Sequence, residues 1–185
     1  MNQNRAKLFN SQLRAFNEGT VEFLNGQWVF FDEETEDAHL LDEWIGVEAQ
    51  WFDGRKWRTG IVQEDGVLNL QSTLISLSSE EKVRIRKPLI HSLDHLLDDI
   101  HEDAFIQFLT TLNSLGFSLY DCIYCHNHLS FLSSQRSPHG VNMLIFDNGE
   151  QICGVQHHFG YFRKMTDRFE FTCTTGKRLV IERIS

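Results

Sequence analysis

Apolar and polar positions alternate with a period of two across most of residues 20–87, which indicates β-strands. The clearest signal is Asn25-Gly26 between the apolar runs VEFL and QWVFF, because Asn-Gly at such a position favours a two-residue hairpin turn. A second turn signal stands at Asp53-Gly54, and such signals recur about every ten residues. This spacing predicts a small antiparallel β-barrel of the SH3-like class or a strongly bent sheet.

A helical period replaces this alternation beyond Pro88. Large apolar side chains recur at intervals of three and four residues from Leu89 to Leu112, and the pattern stops at Gly116. It predicts a long amphipathic helix, with His101–Asp103 as the place where that helix could break. The N-terminal segment MNQNRAKLFNSQLRAF carries a shorter pattern of the same kind and predicts a short helix.

Strand-like alternation returns in the C-terminal part, after a loop of the composition SSQRSPHG. Apolar runs flank Asn148-Gly149 and again Thr175-Gly176, which predicts two hairpins in series. Together they make an antiparallel β-meander of about four strands that a helix covers. The segment FSLYDCIYCHNHLSFL is ambiguous between helix and strand, and we favour a second helix or a turn-rich crossover.

These patterns predict an α+β protein of two units. Residues 1–87 are expected to form a short helix with the barrel-like sheet, and residues 88–185 a helix with the antiparallel sheet. Hydrophobic residues make up 41% of the 185-residue chain and charged residues 23%, which is typical of a folded globular protein.

Charge and cysteine content narrow the classes of function. The net charge of −9 opposes binding to nucleic acid, whose affinity depends on an excess of lysine and arginine. No apolar stretch approaches the roughly 20 residues of a membrane span, and the N-terminal segment lacks a secretory signal pattern. We therefore expect a cytoplasmic protein that contacts neither nucleic acid nor membrane. Its four cysteines are then expected to be thiols or metal ligands.

The segment DCIYCHNH brings two thiols and two imidazoles together and is the most specific local motif. A Cys-x-x-Cys pair can bind Zn²⁺, which requires two further nitrogen or sulfur ligands. Strand alternation in QICGVQHHF puts Cys153 and His157 on one face and His158 on the other. The candidate zinc ligands are therefore Cys122, Cys125, His126, His128, Cys153 and His157. A second Cys-x-x-Cys is absent, which makes the signal weaker than that of a zinc ribbon. The alternative is that the cysteines are small buried hydrophobic residues, because free cysteine is among the most buried residue types.

Two other groups of residues have a chemical and a structural interpretation. His91, His95 and Asp99 follow each other at helical spacing, but they lie opposite the apolar stripe and are interpreted as a solvated polar face. The four tryptophans all fall in the N-terminal unit, where they could line a peptide-binding groove, although we favour a place in its core.

Catalytic signatures are weak. A nucleophilic arrangement could combine Cys125 or Cys153 with His157 and either Asp121 or Asn127, but nothing in the sequence sets its geometry. A phosphate-binding glycine loop, a Gly-x-Ser-x-Gly elbow and a His-Glu-x-x-His helix are all absent from the sequence.

The segments DCIYCHNHLSF, IFDNGEQICGVQHHF and FTCTTGKRLVIER resemble an uncharacterised family of small cytoplasmic proteins from Bacillus and its relatives, which has no assigned function. The resemblance implies a cytoplasmic bacterial protein and supplies no activity. We therefore predict a non-enzymatic binding or interaction protein, with a structural zinc site as an open question. Its expected partner is an unknown protein or peptide, and a homodimer is a further prediction. The alternative is an enzyme that depends on Cys/His chemistry or a metal, with its site in the C-terminal unit.

Overall fold

A computed structural model describes residues 3–71, 73–132 and 134–184, which form two compact units. One unit is Ala15–Lys87, and the other combines the described parts of Met1–Arg14 and Pro88–Ser185. Within the described residues, thirteen strands lie in two antiparallel sheets beside three α-helices. The predicted mixture of antiparallel sheet and helix is therefore confirmed.

The unit Ala15–Lys87 is built on one eight-stranded sheet. Its strands are β1 (Phe16–Leu24), β2 (Gln27–Asp32), β3 (Ala38–Leu40), β4 (Glu48–Phe52), β5 (Trp57–Val62), β6 (Val67–Leu70), β7 (Thr73–Ser76) and β8 (Glu81–Arg86). They lie in the order β3-β2-β1-β8-β4-β5-β6-β7. Because β3 and β7 are short and each pairs on one side, the sheet is open in the described residues. The described strands of this unit therefore do not close into an SH3-like barrel.

The predicted first hairpin is confirmed. Leu24 of β1 lies opposite Gln27 of β2, so that Asn25 and Gly26 alone make the turn. Both turn residues have positive φ, 51° and 86°, as a type I′ turn requires. Asparagine and glycine adopt this conformation at the lowest steric cost, which is why the pair was a reliable signal.

The tryptophans of this unit mainly contribute to its core. Trp28, Trp44 and Trp51 are half-buried and pack against the buried apolar cluster of the sheet. Trp57 instead lies under the guanidinium group of Arg84, 4.0 Å from the ring centroid. A groove of about 420 Å³ runs beside Trp57.

Asp53 organises the β4–β5 turn by accepting hydrogen bonds from the backbone N–H groups of Arg55 and Lys56 and from Nε of Arg58. The Arg58 bond, 2.5 Å long, is the main reason that the pKa of Asp53 is lowered to about 2. Because the folded pKa lies below the unfolded value, this carboxylate stabilises the fold above about pH 4. The contribution is lost as the pH falls through about 2.

Replacing Arg58 with alanine is expected to raise the pKa of Asp53 towards about 3.9, the value of an unperturbed aspartate. A carboxyl-carbon NMR titration measures this directly. Arg55→Ala is the matched control, because only the backbone of Arg55 contacts Asp53. If the midpoint of Asp53 stayed near 2 in Arg58→Ala, the arginine bond would not be the cause.

The second unit packs helices on one face of a five-stranded antiparallel sheet. Its elements are α1 (Gln3–Asn10), α2 (His91–Asp99), α3 (Glu102–Ser114), β9 (Cys122–His126), β10 (His139–Asp147), β11 (Ile152–Tyr161), β12 (Met165–Cys173) and β13 (Arg178–Ile184). The strand order β13-β12-β11-β10-β9 confirms the predicted meander. The sheet also includes β9, which lies in the segment for which the sequence favours a second helix or a crossover.

The predicted long helix is divided into α2 and α3. Ile100 and His101 between them have extended backbone, with ψ near 150°. The side chain of Ile100 is buried there, so the turn in the chain directs it into the core. The break lies at the edge of His101–Asp103, where the sequence pattern predicts that the helix could break.

The N-terminal helix packs in this second unit, although the sequence pattern grouped it with the first. Arg5 of α1 lies over the ring of Phe105 of α3, 4.2 Å from its centroid. After α1, the Nε and Nη2 atoms of Arg14 donate to the two carboxylate oxygens of the buried Asp121, at 2.6 and 2.5 Å. This bidentate ion pair attaches the N-terminal segment to the C-terminal unit.

None of the helices in the described residues combines the length and hydrophobicity that crossing a membrane would require.

Candidate functional site

The two cysteines of the Cys-x-x-Cys motif lie on β9, at an edge of the sheet. A register shift in the β9–β10 pairing puts Cys122 opposite Phe146 and Cys125 opposite Leu144. Both cysteines pack against the core between sheet and helices, Cys122 buried and Cys125 half-buried. The bulge therefore allows side chains three residues apart in a strand to share one face.

The predicted face of β11 is confirmed, because Cys153, Val155 and His157 are buried while His158 lies on the other side, its Nε2 atom 3.4 Å from Oε1 of Glu170. Cys153 nevertheless does not meet the β9 cysteines. Phe146 of β10 lies opposite both Cys122 and Cys153, so two strand spacings, about 10 Å, separate these cysteines.

The remaining candidate ligands also lie apart. His126 is exposed and its ring is 6.1 Å from that of His128, which is half-buried against Phe159. His157 is completely buried and engaged in hydrogen bonds. In the part of the chain that the structure describes, no group of three His, Cys, Asp or Glu side chains is placed to hold a metal ion. The six predicted zinc ligands are thus not brought together.

The nucleophilic alternative is not assembled either. Asp121 forms the ion pair with Arg14, and Asn127 Oδ1 accepts a hydrogen bond from the backbone of Ser130. Burial raises the pKa of Cys125 to about 11 and that of Cys153 to about 12, which keeps both as thiols at neutral pH. Neither cysteine has the low pKa that an activated nucleophile needs.

His157 instead forms the centre of a buried hydrogen-bond network across β10, β11 and β12. Its Nδ1 atom lies 3.1 Å from Nδ2 of Asn142, and its Nε2 atom lies 2.9 Å from Oδ1 of Asp167. Tyr161 donates its hydroxyl to the same Asp167 oxygen at 2.6 Å. Asn142 in turn accepts from the backbone N–H of Leu129 through Oδ1 at 3.1 Å.

This arrangement determines the protonation of His157. Because Oδ1 of Asn142 is the acceptor for Leu129, its amide nitrogen must donate to Nδ1 of His157. The single ring proton then lies on Nε2 and is donated to Asp167. His157 is therefore neutral, and its hydrogen-bonded partners place no cation beside the buried carboxylate of Asp167.

Tyr161 connects this network to a cleft on the surface of the unit. Burial raises the pKa of Tyr161 well above its usual value, and the carboxylates of Asp167 and Asp99 raise it further. The tyrosine consequently stays a neutral phenol. Its side chain is half-buried and lines the cleft beside Asp99 of α2.

The cleft itself runs between α2 and the segment from β9 to the 3₁₀ helix Leu129–Leu132. It consists of two cavities of about 330 Å³ each, which share His95 and Ser130. We call it the histidine cleft. Its side chains of chemical interest are His91, His95, Asp99, Cys125, His126 and Tyr161.

The sequence identifies Cys125 and His126 of this site as candidate ligands, but it does not indicate the network behind the cleft. His91, His95 and Asp99 are exposed as predicted, but they form one wall of the cleft. The sequence-based predictions do not include Asn142 and Asp167, although both occupy inward positions of strands whose other inward residues are apolar. A polar residue in that alternation is the signal that could have identified them, because a buried polar group needs a partner.

Comparison with known proteins gives the family of the chain. The uncharacterized protein YisN of Bacillus subtilis strain 168 is 32% identical over 179 residues, which cover 96% of this chain and 90% of the relative. No solved structure matches the chain significantly. The model of a family described as protein of unknown function (DUF2777) matches residues 3–183. The chain therefore belongs to the DUF2777 family of proteins of unknown function, in agreement with the resemblance to an uncharacterised Bacillus family.

Proposed function

We propose that this protein is a binding protein, not an enzyme, and that its ligand occupies the histidine cleft. The observation that carries the proposal is that the thiol and the phenol at the cleft are both held in their protonated forms. Cys125 and Tyr161 line it with pKa values raised by burial, so both remain protonated at neutral pH. At a pKa of about 11, only about one Cys125 side chain in 10⁴ is a thiolate at pH 7.

The buried network behind the cleft supports a structural role for its members. Both ring nitrogens of His157 are engaged, and Asp167 accepts from two donors. A general base needs a free acceptor within reach of a substrate proton. His157 has none, and it is completely buried. The network instead holds Tyr161 and the backbone of Leu129 in fixed positions at the cleft.

The shape and lining of the cleft fit a small ligand. Its two cavities lie in the size range of ligand sites, about 300–1,000 Å³. Imidazole, hydroxyl and carboxylate groups converge there with the aromatic side chains of Phe131 and Tyr161. Such a combination of a few polar groups and apolar rings is typical of binding pockets.

Alkylation of Cys125 distinguishes a binding cleft from a cysteine-dependent active site. With iodoacetamide as the probe, we expect the rate of Cys125 modification to rise with pH up to a midpoint near 11. Peptide mass spectrometry reports the modification of each cysteine separately. Cys125→Ser identifies the signal, and the buried Cys153 is the internal comparison. A Cys125 midpoint below about pH 8, in the range of activated cysteines, would contradict the proposal.

The peptide partner expected for the N-terminal unit stays a prediction. The groove beside Trp57, which Lys56 and Arg58 also line, supports it. The homodimer likewise stays a prediction. A cytoplasmic location is part of the proposal and is supported by four free thiols, because reduced cysteines are the rule in that compartment.

A further inference from the structure

The histidine cleft holds a carboxylate that no lysine or arginine of its described lining balances. Among its described lining residues, Asp99 is the one carboxylate, and there is no lysine or arginine. Asn127 donates to Oδ2 of Asp99 at 3.5 Å, which is a long hydrogen bond. Oδ1 of Asp99 accepts no hydrogen bond from the residues that the structure describes. One carboxylate oxygen is therefore available to a ligand.

A second carboxylate lies directly behind the cleft wall. Asp167 is 3% exposed and accepts the hydroxyl of Tyr161, which itself lines the cleft. Since Asn142 keeps His157 neutral, the network adds no positive charge to offset this carboxylate. A ligand at the Tyr161 end of the cleft thus has Asp99 beside it and Asp167 behind Tyr161, and charge complementarity with these carboxylates favours a cationic ligand.

The rings around the cleft fit a cation that carries hydrocarbon. Tyr161 lines one cavity and Phe131 the other, and Phe131 is 73% exposed. The ring of His126 lies 6.1 Å from that of Phe131, at an interplanar angle of 24°. Aromatic faces attract ammonium groups and also cover the apolar part of such a ligand.

Combining these observations, we propose that the histidine cleft binds an organic ammonium ion, a small primary amine or diamine, whose N–H groups donate to Oδ1 of Asp99. The proposal rests on the binding function proposed above and specifies its ligand class. Anions are disfavoured because the described lining holds the carboxylate of Asp99 and no lysine or arginine. A divalent metal ion is disfavoured because no three ligating side chains converge in the described part of the chain.

Isothermal titration calorimetry of the full-length protein tests this ligand class. The probes are 1,4-diaminobutane, the neutral 1-butanol as its partner of similar length, and zinc chloride. We expect one diaminobutane to bind per chain and butanol to bind at least about tenfold more weakly, because a charge-assisted hydrogen bond is lost. Asp99→Asn is expected to weaken diaminobutane binding by about tenfold or more for the same reason.

A matched variant separates the local contact from the overall charge. Asp94 is exposed on the same helix, and it does not line the cleft. Asp94→Asn removes the same charge and is expected to weaken binding by no more than about twofold, because exposed charges are screened. Equal losses in the two variants would overturn the proposal.

The other outcomes are equally decisive. Butanol that binds as tightly as diaminobutane, or no binding of diaminobutane, would overturn the ammonium assignment. Zinc that binds and displaces diaminobutane would assign the cleft to a metal ion and overturn it as well. Each of these failures is separate from the alkylation profile of Cys125, which tests whether the cleft is a binding site or an active site.

Discussion

Replacing Phe108 with alanine is expected to lower the free energy of unfolding of the C-terminal unit by about 3–5 kcal/mol, the usual cost of truncating a buried phenylalanine. Phe108 of α3 is 2% exposed and belongs to the core cluster between the helices and the sheet. Its ring centroid lies 5.2 Å from that of Phe169 and 6.1 Å from that of Phe171. Alanine would remove these contacts and leave a cavity that a close-packed core refills only in part.

The distribution of aromatic residues allows the two units to be followed separately. All four tryptophans lie in the N-terminal unit and all three tyrosines in the other. In urea, the NMR signals of the tyrosine rings report the C-terminal unit, and tryptophan fluorescence reports the N-terminal one. Phe162→Ala is the matched control, because Phe162 is 69% exposed and its loss should cost less than about 0.5 kcal/mol. If Phe108→Ala and Phe162→Ala lowered the free energy of unfolding by similar amounts, Phe108 would not be a core contact.

Replacing Asp167 with alanine is expected to destabilise the same unit by about 2–6 kcal/mol, because two buried donors at about 1–3 kcal/mol each lose their acceptor. These donors are Nε2–H of His157 and the hydroxyl of Tyr161, which share one carboxylate oxygen. The measurement is again urea unfolding followed through the NMR signals of the tyrosine rings.

Asp167→Asn is the informative comparison. An asparagine can place its single side-chain oxygen where Oδ1 of Asp167 lies, so both hydrogen bonds persist while the charge is removed. We expect its stability to fall clearly less than that of Asp167→Ala. Its affinity for diaminobutane should also fall, because the carboxylate behind Tyr161 at the cleft wall is removed. Equal stability losses in the two variants would show that the hydrogen bonds are not what Asp167 contributes.

The parts of the fold that could be predicted depend on local chemistry. The Asn25-Gly26 turn was predictable because few residue pairs adopt two successive positive φ values easily. The buried face of β11 was predictable because strand side chains alternate strictly. The sequence pattern predicts that the long helix breaks at His101–Asp103, and the helix is interrupted at Ile100 and His101.

Other elements could not be predicted because their determinants are distant in sequence. The segment of β9 lacks a clear period, and its pairing with β10 decides that it is a strand. The helix α1 has a weak pattern, and its place depends on contacts with Phe105 and, through Arg14, with Asp121. Whether the N-terminal strands close into a barrel depends on the pairing of β3 and β7, which local turn signals do not specify.

The candidate site shows the same division. The sequence by itself determined which residues could carry chemistry, namely the thiols and imidazoles of Cys122–His128 and Cys153–His157. It also determined that Cys153 and His157 share one face of β11. Only the tertiary structure decided what they do, because β10 separates the two groups and Asn142 and Asp167 engage His157. Local periodicity reports the face of an element. The identity of the neighbours on that face follows from strand order and packing, which join residues far apart in the chain.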